Sequence, residues 1–287
     1  MYQEYLSKLH EMIMLRGLTE NTAKAYMSYI RGYLEYLETF LLKPPSDVTW
    51  DELRGYIHYL DKSKNLAGAT INSIISMLGF FTIFVLHKQW DSRQIPKRKF
   101  DRKLPYILSQ EDTWHFISTI PNLKHKAMIS LLYSSGLRVS ELCNLKWSDF
   151  SKEKMQVRIR KSKNRYEGIT QLSQITLELL VDYWRNFGRP KDWVFPHPYK
   201  PNEHITSYYV RKVIKEHESR LGLEHKLTCH SFRHLVGTHL FENGADILTI
   251  KEFLRHRSLN STLIYITLSS SAFQELKNPF DLLGNKP

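Results

Sequence analysis

The sequence predicts a mainly α-helical protein with a small β-sheet, divided into a helical N-terminal domain and an α+β C-terminal domain. Apolar residues recur every three or four positions along most of the chain, which is typical of amphipathic helices. Residues 155–172 instead alternate apolar and polar side chains, which indicates a β-hairpin. Residues 91–105 contain six basic residues and two prolines and have little periodicity. We therefore predict domains over 1–92 and 106–287, joined by a basic linker over 93–105.

The first domain is expected to be a helical bundle. Thr19 can cap a helix whose apolar side chains follow the helical spacing up to Leu41. Thr49-Trp50-Asp51-Glu52 has the pattern of a capping box, in which the first and fourth residues satisfy each other's backbone N–H groups. Residues 69–87 are apolar almost all round, so this helix should lie at the centre of the bundle.

The second domain should begin after Pro105 with helices on both sides of the hairpin. Apolar spacing predicts helices over 109–117, 126–134, 176–187, 206–221 and 246–254, and a helix that ends at Asn243-Gly244. The helix over 206–221 is basic and could lie against DNA. Arg138 follows Gly136, which can adopt a positive φ, and Glu141 is three residues further on, close enough to orient the guanidinium. An exposed ion pair of little energetic value is the simpler interpretation of that pair alone.

The charge of the chain favours a polyanionic partner. Lys and Arg exceed Asp and Glu by 41 − 29 = 12, and the pI is near 9.5. The electrostatic field of this positive net charge attracts nucleic acid or an acidic membrane surface. The longest apolar runs are far shorter than the roughly 20 residues of a membrane span, and the N-terminus has no signal-peptide pattern. The only cysteines, Cys143 and Cys229, give no zinc framework, so we expect a cytoplasmic, nucleic-acid-binding protein without a membrane partner.

One short C-terminal segment is unusually rich in groups that can handle a phosphate. Between residues 227 and 267 these groups are His230, Arg233, His256 and Tyr265. His230 and Arg233 are three residues apart on a predicted helix, so both side chains project from one face. Any one of these residues alone is more often structural, but the ordered set favours phosphate chemistry. His230 and His234 are four residues apart without the Glu of a zinc-binding helix, so we expect no metal.

Three motifs in this order resemble a known family. G-L-R-V-S-E-L at 136–142, H-S-F-R-H at 230–234 and L-R-H-R-S-L-N-S-T-L-I-Y at 254–265 resemble the signature of the tyrosine recombinases of the phage-integrase and Xer type. L-T-E-N-T-A-K-A-Y, beginning at Leu18, resembles the opening of their core-binding domain. The resemblance implies a SAM-like N-terminal core-binding domain and a C-terminal catalytic domain. It also implies a site-specific DNA recombinase.

The resemblance also implies roles for individual residues. Arg138 and Arg233 would be the two catalytic arginines, with Glu141 as the carboxylate that supports Arg138. The hairpin turn would carry the catalytic lysine, for which Lys161 aligns best and Lys163 is the competitor.

The remaining roles concern proton transfer and attack. Tyr265 would attack the DNA phosphate to form a 3′-phosphotyrosyl link, with His230 as general base, the lysine as general acid and His256 as a donor to the phosphate. Two guanidinium forks can bind the phosphate without a metal, so no cofactor is expected.

Some residues depart from the family pattern. Arg255 occupies the position of the Gly common before His256, where it could alter the turn or add a phosphate contact. Thr267 occupies a position that is often His, and the Gly that usually flanks the catalytic lysine is absent.

The expected partner is double-stranded DNA, and no small-molecule substrate is expected. The basic linker could be a solvated segment or could contact the DNA backbone through Lys97, Arg98, Lys99, Arg102 and Lys103. The family's tail after the tyrosine docks into a neighbouring subunit, which implies a homo-tetramer, or a hetero-tetramer with a second recombinase, that works through a Holliday junction. A catalytically silent DNA-binding regulator and a type IB topoisomerase are the alternatives. Chromosome-dimer resolution and movement of a mobile element both fit the sequence.

Overall fold

The computed structural model describes residues 2–100, 104–160, 167–223 and 227–269. The chain divides into two compact units, Met1–Lys103 and Leu104–Pro287. Helices make up most of the described residues in both units, and small antiparallel sheets occur in the second, which confirms the predicted fold class. No helix in these described ranges has the length and apolarity that a membrane span needs.

Within residues 2–100, the first unit is a bundle of four α-helices: α1 (Gln3–Leu15), α2 (Glu20–Tyr36), α3 (Trp50–Lys62) and α4 (Gly68–Phe84). Helix α4 packs against each of the other three, as its all-round apolar sequence predicts. The predicted caps are confirmed: Thr19 accepts a hydrogen bond from the backbone N–H of Thr22, and Thr49 and Glu52 form a complete capping box.

Residues 93–100 of the predicted linker pack on the first unit, whereas Leu104 and Pro105 belong to the second. Ile95 is 2% exposed and lies in the core of the bundle. The backbone N–H of Arg98 donates to the side chain of Asn72 over 2.8 Å, and its guanidinium pairs with Asp61. The boundary between the two units lies at 103/104.

The second unit contains eight α-helices in its described ranges: α5 (Gln110–Ser118), α6 (Leu123–Ser134), α7 (Val139–Cys143), α8 (Gln174–Asn186), α9 (Ser207–Arg220), α10 (Cys229–Glu242), α11 (Ile247–Phe253) and α12 (Asn260–Leu268). Helix α6 lies at the centre and contacts α5, α7, α8, α9 and α10. Its residues from Ala127 to Leu132 are all buried, because neighbours surround it on every side.

The strands of the second unit form two small sheets. They are β1 (Phe150–Ser151), β2 (Gln156–Ile159), β3 (Gly168–Gln171), β4 (Pro196–His197) and β5 (Lys200–His204). The hairpin of β2 and β3 confirms the alternating pattern, with Val157 and Ile159 buried on one face. The sequence did not predict β1 or the β4–β5 hairpin.

Candidate active site

Five of the six predicted catalytic residues lie in one region of the second unit. Arg138 is the N-cap of α7, Arg233 and His230 lie on α10, His256 follows α11, and Tyr265 lies on α12. Lys161 and its competitor Lys163 lie outside the described residues, as do Arg102, Lys103 and the tail from residue 270.

Arg233 is a buried arginine that joins three segments of the chain. It is 1% exposed, and its two terminal nitrogens donate to the backbone carbonyls of Gly136 and Leu254. Burial, assisted by the charges of Arg138 and Arg255, lowers the pKa of Arg233 to about 9, so the side chain still carries its charge at neutral pH. The guanidinium therefore holds α10 to the turn before α7 and to the end of α11.

Arg138 is held by Glu141, as the sequence predicted for this pair. Glu141 accepts the backbone N–H of Arg138 over 2.9 Å and its Nη1 over 2.8 Å. Burial alone would raise the pKa of Glu141, but the charge of Arg255 and the hydrogen bonds from Arg138 outweigh burial and lower it. The side chain of Arg138 is 27% exposed, so part of its fork remains open to a phosphate.

Tyr265 lies under the surface, flat against α10. It is 1% exposed, and a Cβ at Gly237 would lie 2.3–2.5 Å from three carbons of its ring, so only glycine fits there. Burial raises the pKa of Tyr265 to about 12, although the charges of Arg233 and Arg138 oppose the rise. The phenol is therefore protonated at neutral pH and needs a base before it can attack.

Two histidines, His256 and His234, lie beside the ring of Tyr265, and His230 lies next to His234. The rings of His256 and Tyr265 are stacked with centroids 6.1 Å apart, and Nδ1 of His256 lies 2.8 Å from Oγ1 of Thr262. His234 lies between the other groups, 4.5 Å from the ring of His230 and 6.0 Å from that of Tyr265. In the sequence, the signal for His234 is its spacing of four residues from His230, which raises the question of a zinc ligand but does not indicate a neighbour of the phenol.

The histidines are neutral at pH 7. Burial, followed by the neighbouring arginine charges, lowers the pKa of His256 to about 3 and also lowers that of His230. Burial and then the neighbouring His230 lower the pKa of His234 to about 4. A neutral imidazole can accept a proton, which a general base requires.

The low pKa of His234 predicts a loss of stability in mild acid. The unfolded chain binds a proton at this residue below about pH 6.5, whereas the folded chain resists it until about pH 4. Stability should therefore fall with pH in that window, by at most about 1.4 kcal/mol per pH unit from this group and less because it is partly exposed. In urea unfolding followed by circular dichroism, His234→Gln should lose less stability than wild type between neutral pH and about pH 5.

The exposed His115 of the same unit provides the control for this experiment. His115→Gln should leave the pH dependence of unfolding as in wild type. An unchanged pH dependence in His234→Gln would show that His234 takes up no extra proton on unfolding.

Comparison with known families agrees with this geometry. Residues 107–271 match the model of the phage integrase family, and residues 5–92 match its N-terminal SAM-like domain. The chain belongs to the phage integrase family. This result confirms the resemblance found in the sequence and the enzyme class it implies, a site-specific recombinase that breaks and rejoins DNA.

Similar proteins cover nearly the whole chain. A putative integrase/recombinase y4qK of Sinorhizobium fredii is 33% identical over 277 residues, which are 96% of this chain and 88% of the relative. Tyrosine recombinase XerA of Pyrococcus furiosus is 30% identical over 286 residues, 98% of this chain and 96% of the relative.

Solved structures share the fold at lower identity. The XerH recombinase bound to palindromic difH substrate, in its post-cleavage complex, superimposes with a TM-score of 0.71 at 19% identity over 91% of this chain and 80% of XerH. A lambda integrase dimer bound to a COC′ core site gives a TM-score of 0.70 at 19% identity over 96% of this chain and 97% of the integrase chain.

Proposed function

We propose that this recombinase exchanges DNA strands through a covalent 3′-phosphotyrosyl intermediate formed by Tyr265. The observation that carries the proposal is the convergence of two arginines, three histidines and one tyrosine from four separate segments of the second unit. Arginine forks match the oxygens of a phosphate and remain charged, so they can stabilise the charge that develops during attack. Among the described residues, no group of three His, Cys, Asp or Glu side chains could hold a metal ion.

The proposed cleavage step uses only side chains of the protein and groups of the DNA. The oxygen of Tyr265 attacks phosphorus while the bond from phosphorus to the 5′-oxygen breaks. His230 takes the phenolic proton, and Lys161 gives a proton to the leaving 5′-oxygen. In the reverse step, the 5′-hydroxyl of a second DNA strand attacks the phosphotyrosine and releases Tyr265. No energy source is needed, because the phosphodiester energy is kept in the covalent link.

His256 is proposed to donate a hydrogen bond to the phosphate. The hydroxyl of Thr262 can donate to Nδ1 of His256, which places the proton of a neutral imidazole on Nε2. That nitrogen is then a donor without carrying a charge. The proposal therefore assigns Thr262 as the donor in this pair and Nε2 as the protonated nitrogen of His256.

Lys161→Ala is expected to lower the cleavage rate by about 10²–10⁴-fold, the usual contribution of a general acid. Lys163→Ala is the matched control and should cleave at a rate close to that of wild type. A substrate with sulfur in place of the leaving 5′-oxygen should restore cleavage by Lys161→Ala, because a thiolate leaves without a proton. Single-turnover cleavage of both substrates measures these rates. If Lys163→Ala shows the defect and the sulfur rescue, the roles of the two lysines are reversed.

The function is tested with a nicked suicide substrate made from DNA that flanks the gene. Wild-type protein in excess chelator should form a covalent adduct on a denaturing gel, and peptide mapping should locate the DNA on Tyr265 through a 3′-phosphate. Salt-sensitive binding without an adduct would favour the silent DNA-binding alternative. Relaxation of supercoiled plasmid by a monomer, without strand exchange, would favour the topoisomerase alternative.

Double-stranded DNA is the proposed partner, and four protomers the proposed assembly. The net charge of +12 supports DNA binding, and the related XerH structure is bound to its difH substrate. Lys97 and Lys99 are exposed and remain proposed backbone contacts, whereas Arg98 already pairs with Asp61. Native mass measurement of the protein on DNA with two sites should show four protomers, either of this chain alone or shared with a second recombinase. Binding by single protomers only would contradict the tetramer.

A further inference from the structure

Arg255 has an unusual backbone conformation for its residue type. Its φ is +53°, in the left-handed region that disfavours residues with a Cβ and favours glycine. The resembling motif of the family commonly has glycine here. This chain therefore keeps the turn before His256 but places a long, charged side chain on it.

The side chain of Arg255 points into the site rather than to solvent. Its Nη2 donates to Oε2 of Glu141 over 3.0 Å, and its Nη1 donates to the carbonyl of Phe253 over 3.0 Å. The side chains of Arg255 and Glu141 are only 13% and 8% exposed. The backbone carbonyl of Arg255 lies 3.5 Å from Nη2 of Arg138. Both the main chain and the side chain of this residue thus meet the Arg138–Glu141 pair.

Gly168 on β3 makes room for this side chain. A Cβ at this position would lie 2.5 Å from Cδ of Arg255 and 3.3 Å from its Cγ. Gly168 does not have a positive φ, so backbone strain does not explain the glycine. Glycine is needed at this position because the side chain of Arg255 occupies the space that a Cβ would take.

We propose that Arg255 is a positioning residue for Arg138, an inference that rests on the proposed function. With Arg138 as its sole cationic partner, the buried carboxylate of Glu141 could bind one edge of that guanidinium with both of its oxygens. A second arginine shares the carboxylate and keeps it ionised, so the side chain of Arg138 contacts the carboxylate through Nη1 alone, and Nη2, which has only a long contact with the carbonyl of Arg255, can turn to the phosphate. The two guanidinium groups of Arg138 and Arg255 and the carboxylate of Glu141 together carry one net positive charge, which lies beside the proposed position of the phosphate.

The variants Arg255→Gly and Arg255→Lys test this role in single-turnover cleavage across a range of pH. Arg255→Gly should cleave roughly 10- to 100-fold more slowly, as when a catalytic group is misplaced by about 1 Å. The acid limb of its pH profile should move to higher pH, because Glu141 then protonates more readily. Arg255→Lys keeps the charge and should retain the acid limb of wild type. Wild-type rate and pH profile in Arg255→Gly would overturn the proposal.

A double-mutant cycle with Gly168→Ala provides an independent test. Alone, Gly168→Ala should slow cleavage, because its methyl group displaces the side chain of Arg255 from Glu141. Combined with Arg255→Gly, it should add no further defect, because the clashing side chain is gone. Defects that multiply would show that Gly168 acts by another route and would overturn this explanation of the glycine.

Two controls separate the possible failures. Wild type that forms no adduct contradicts the proposed function, whereas an active wild type with an equally active Arg255→Gly contradicts only the positioning role. The thermal unfolding midpoint shows whether each variant is folded. If Arg255→Gly does not fold, the cleavage rates and pH profiles of Gly168→Ala and Arg255→Lys still test whether Arg255 positions Arg138.

Discussion

Tyr265→Phe is expected to bind DNA as wild type does and to form no covalent adduct with it. Phenylalanine keeps the ring that packs against Gly237 but lacks the oxygen that attacks phosphorus. Its folding should therefore be preserved while its chemistry is lost completely. A suicide substrate on a denaturing gel measures the adduct, and a band-shift titration measures the binding.

Tyr183→Phe is the matched control, because Tyr183 is also 1% exposed in the same unit. Its hydroxyl donates to the carbonyl of Val194 over 2.9 Å, so its loss should lower stability by about 1 kcal/mol and leave adduct formation intact. An adduct formed by Tyr265→Phe would mean that another side chain is the nucleophile.

Tyr265 is too deeply buried to reach DNA as the site stands. Tyr265 and Arg233 are each 1% exposed, so neither can contact a phosphate on the outside of a DNA duplex in this arrangement of the site. Helix α12 is held by apolar packing on Val236 and Leu254 and by the contact of Thr262 with His256. For the proposed attack by Tyr265, we therefore expect a shift of α12 that uncovers both the phenol and the guanidinium of Arg233.

The sequence predicted the features of this molecule that follow local rules. Thr19 and Thr49 cap helices because a hydroxyl and a backbone N–H lie a few residues apart in the chain. The β2–β3 hairpin was predicted because alternation over several residues is a strong signal. Strand β1 has two residues, and β4–β5 is built from Pro, His, Lys, Asn and Glu, so neither carries such a signal.

The sequence did not predict the contacts between residues that are far apart in the chain. The pair of Arg255 and Glu141 joins positions 114 residues apart, and no local pattern indicates it. The sequence identified Arg255 as a departure from the family but left open whether it changed the turn or contacted the phosphate. The structure shows a turn that keeps its left-handed conformation and a side chain directed at Glu141.

The sequence also did not predict the backbone carbonyls to which Arg233 donates. The motif H-S-F-R-H indicated a phosphate-binding arginine, and nothing near it in the chain indicated Gly136 or Leu254. The position of these carbonyls depends on how two turns pack beside α10. Arg233 therefore has an observed structural role, as the donor to two carbonyls, beside its proposed catalytic role, and substitutions can separate the two.

Arg233→Ala is expected to lose both stability and activity. It leaves the buried carbonyls of Gly136 and Leu254 without their donor, which should lower the free energy of unfolding by about 2–4 kcal/mol. Removal of a donor to the developing charge should lower cleavage by a further factor of about 10²–10³. Urea unfolding and single-turnover cleavage measure the two effects, and the exposed Arg185→Ala should change stability by less than about 0.5 kcal/mol.

Arg233→Lys separates the two effects. Lysine keeps the positive charge and can donate to a carbonyl, so much of the stability should return. Its ammonium lacks the planar fork that spans two carbonyls and a phosphate, so cleavage should remain about 10²-fold below wild type. Cleavage by Arg233→Lys at the wild-type rate would mean that charge alone is required. Recovery of stability without recovery of cleavage would show that the geometry of the guanidinium, held by the turns before α7 and after α11, is what the reaction uses.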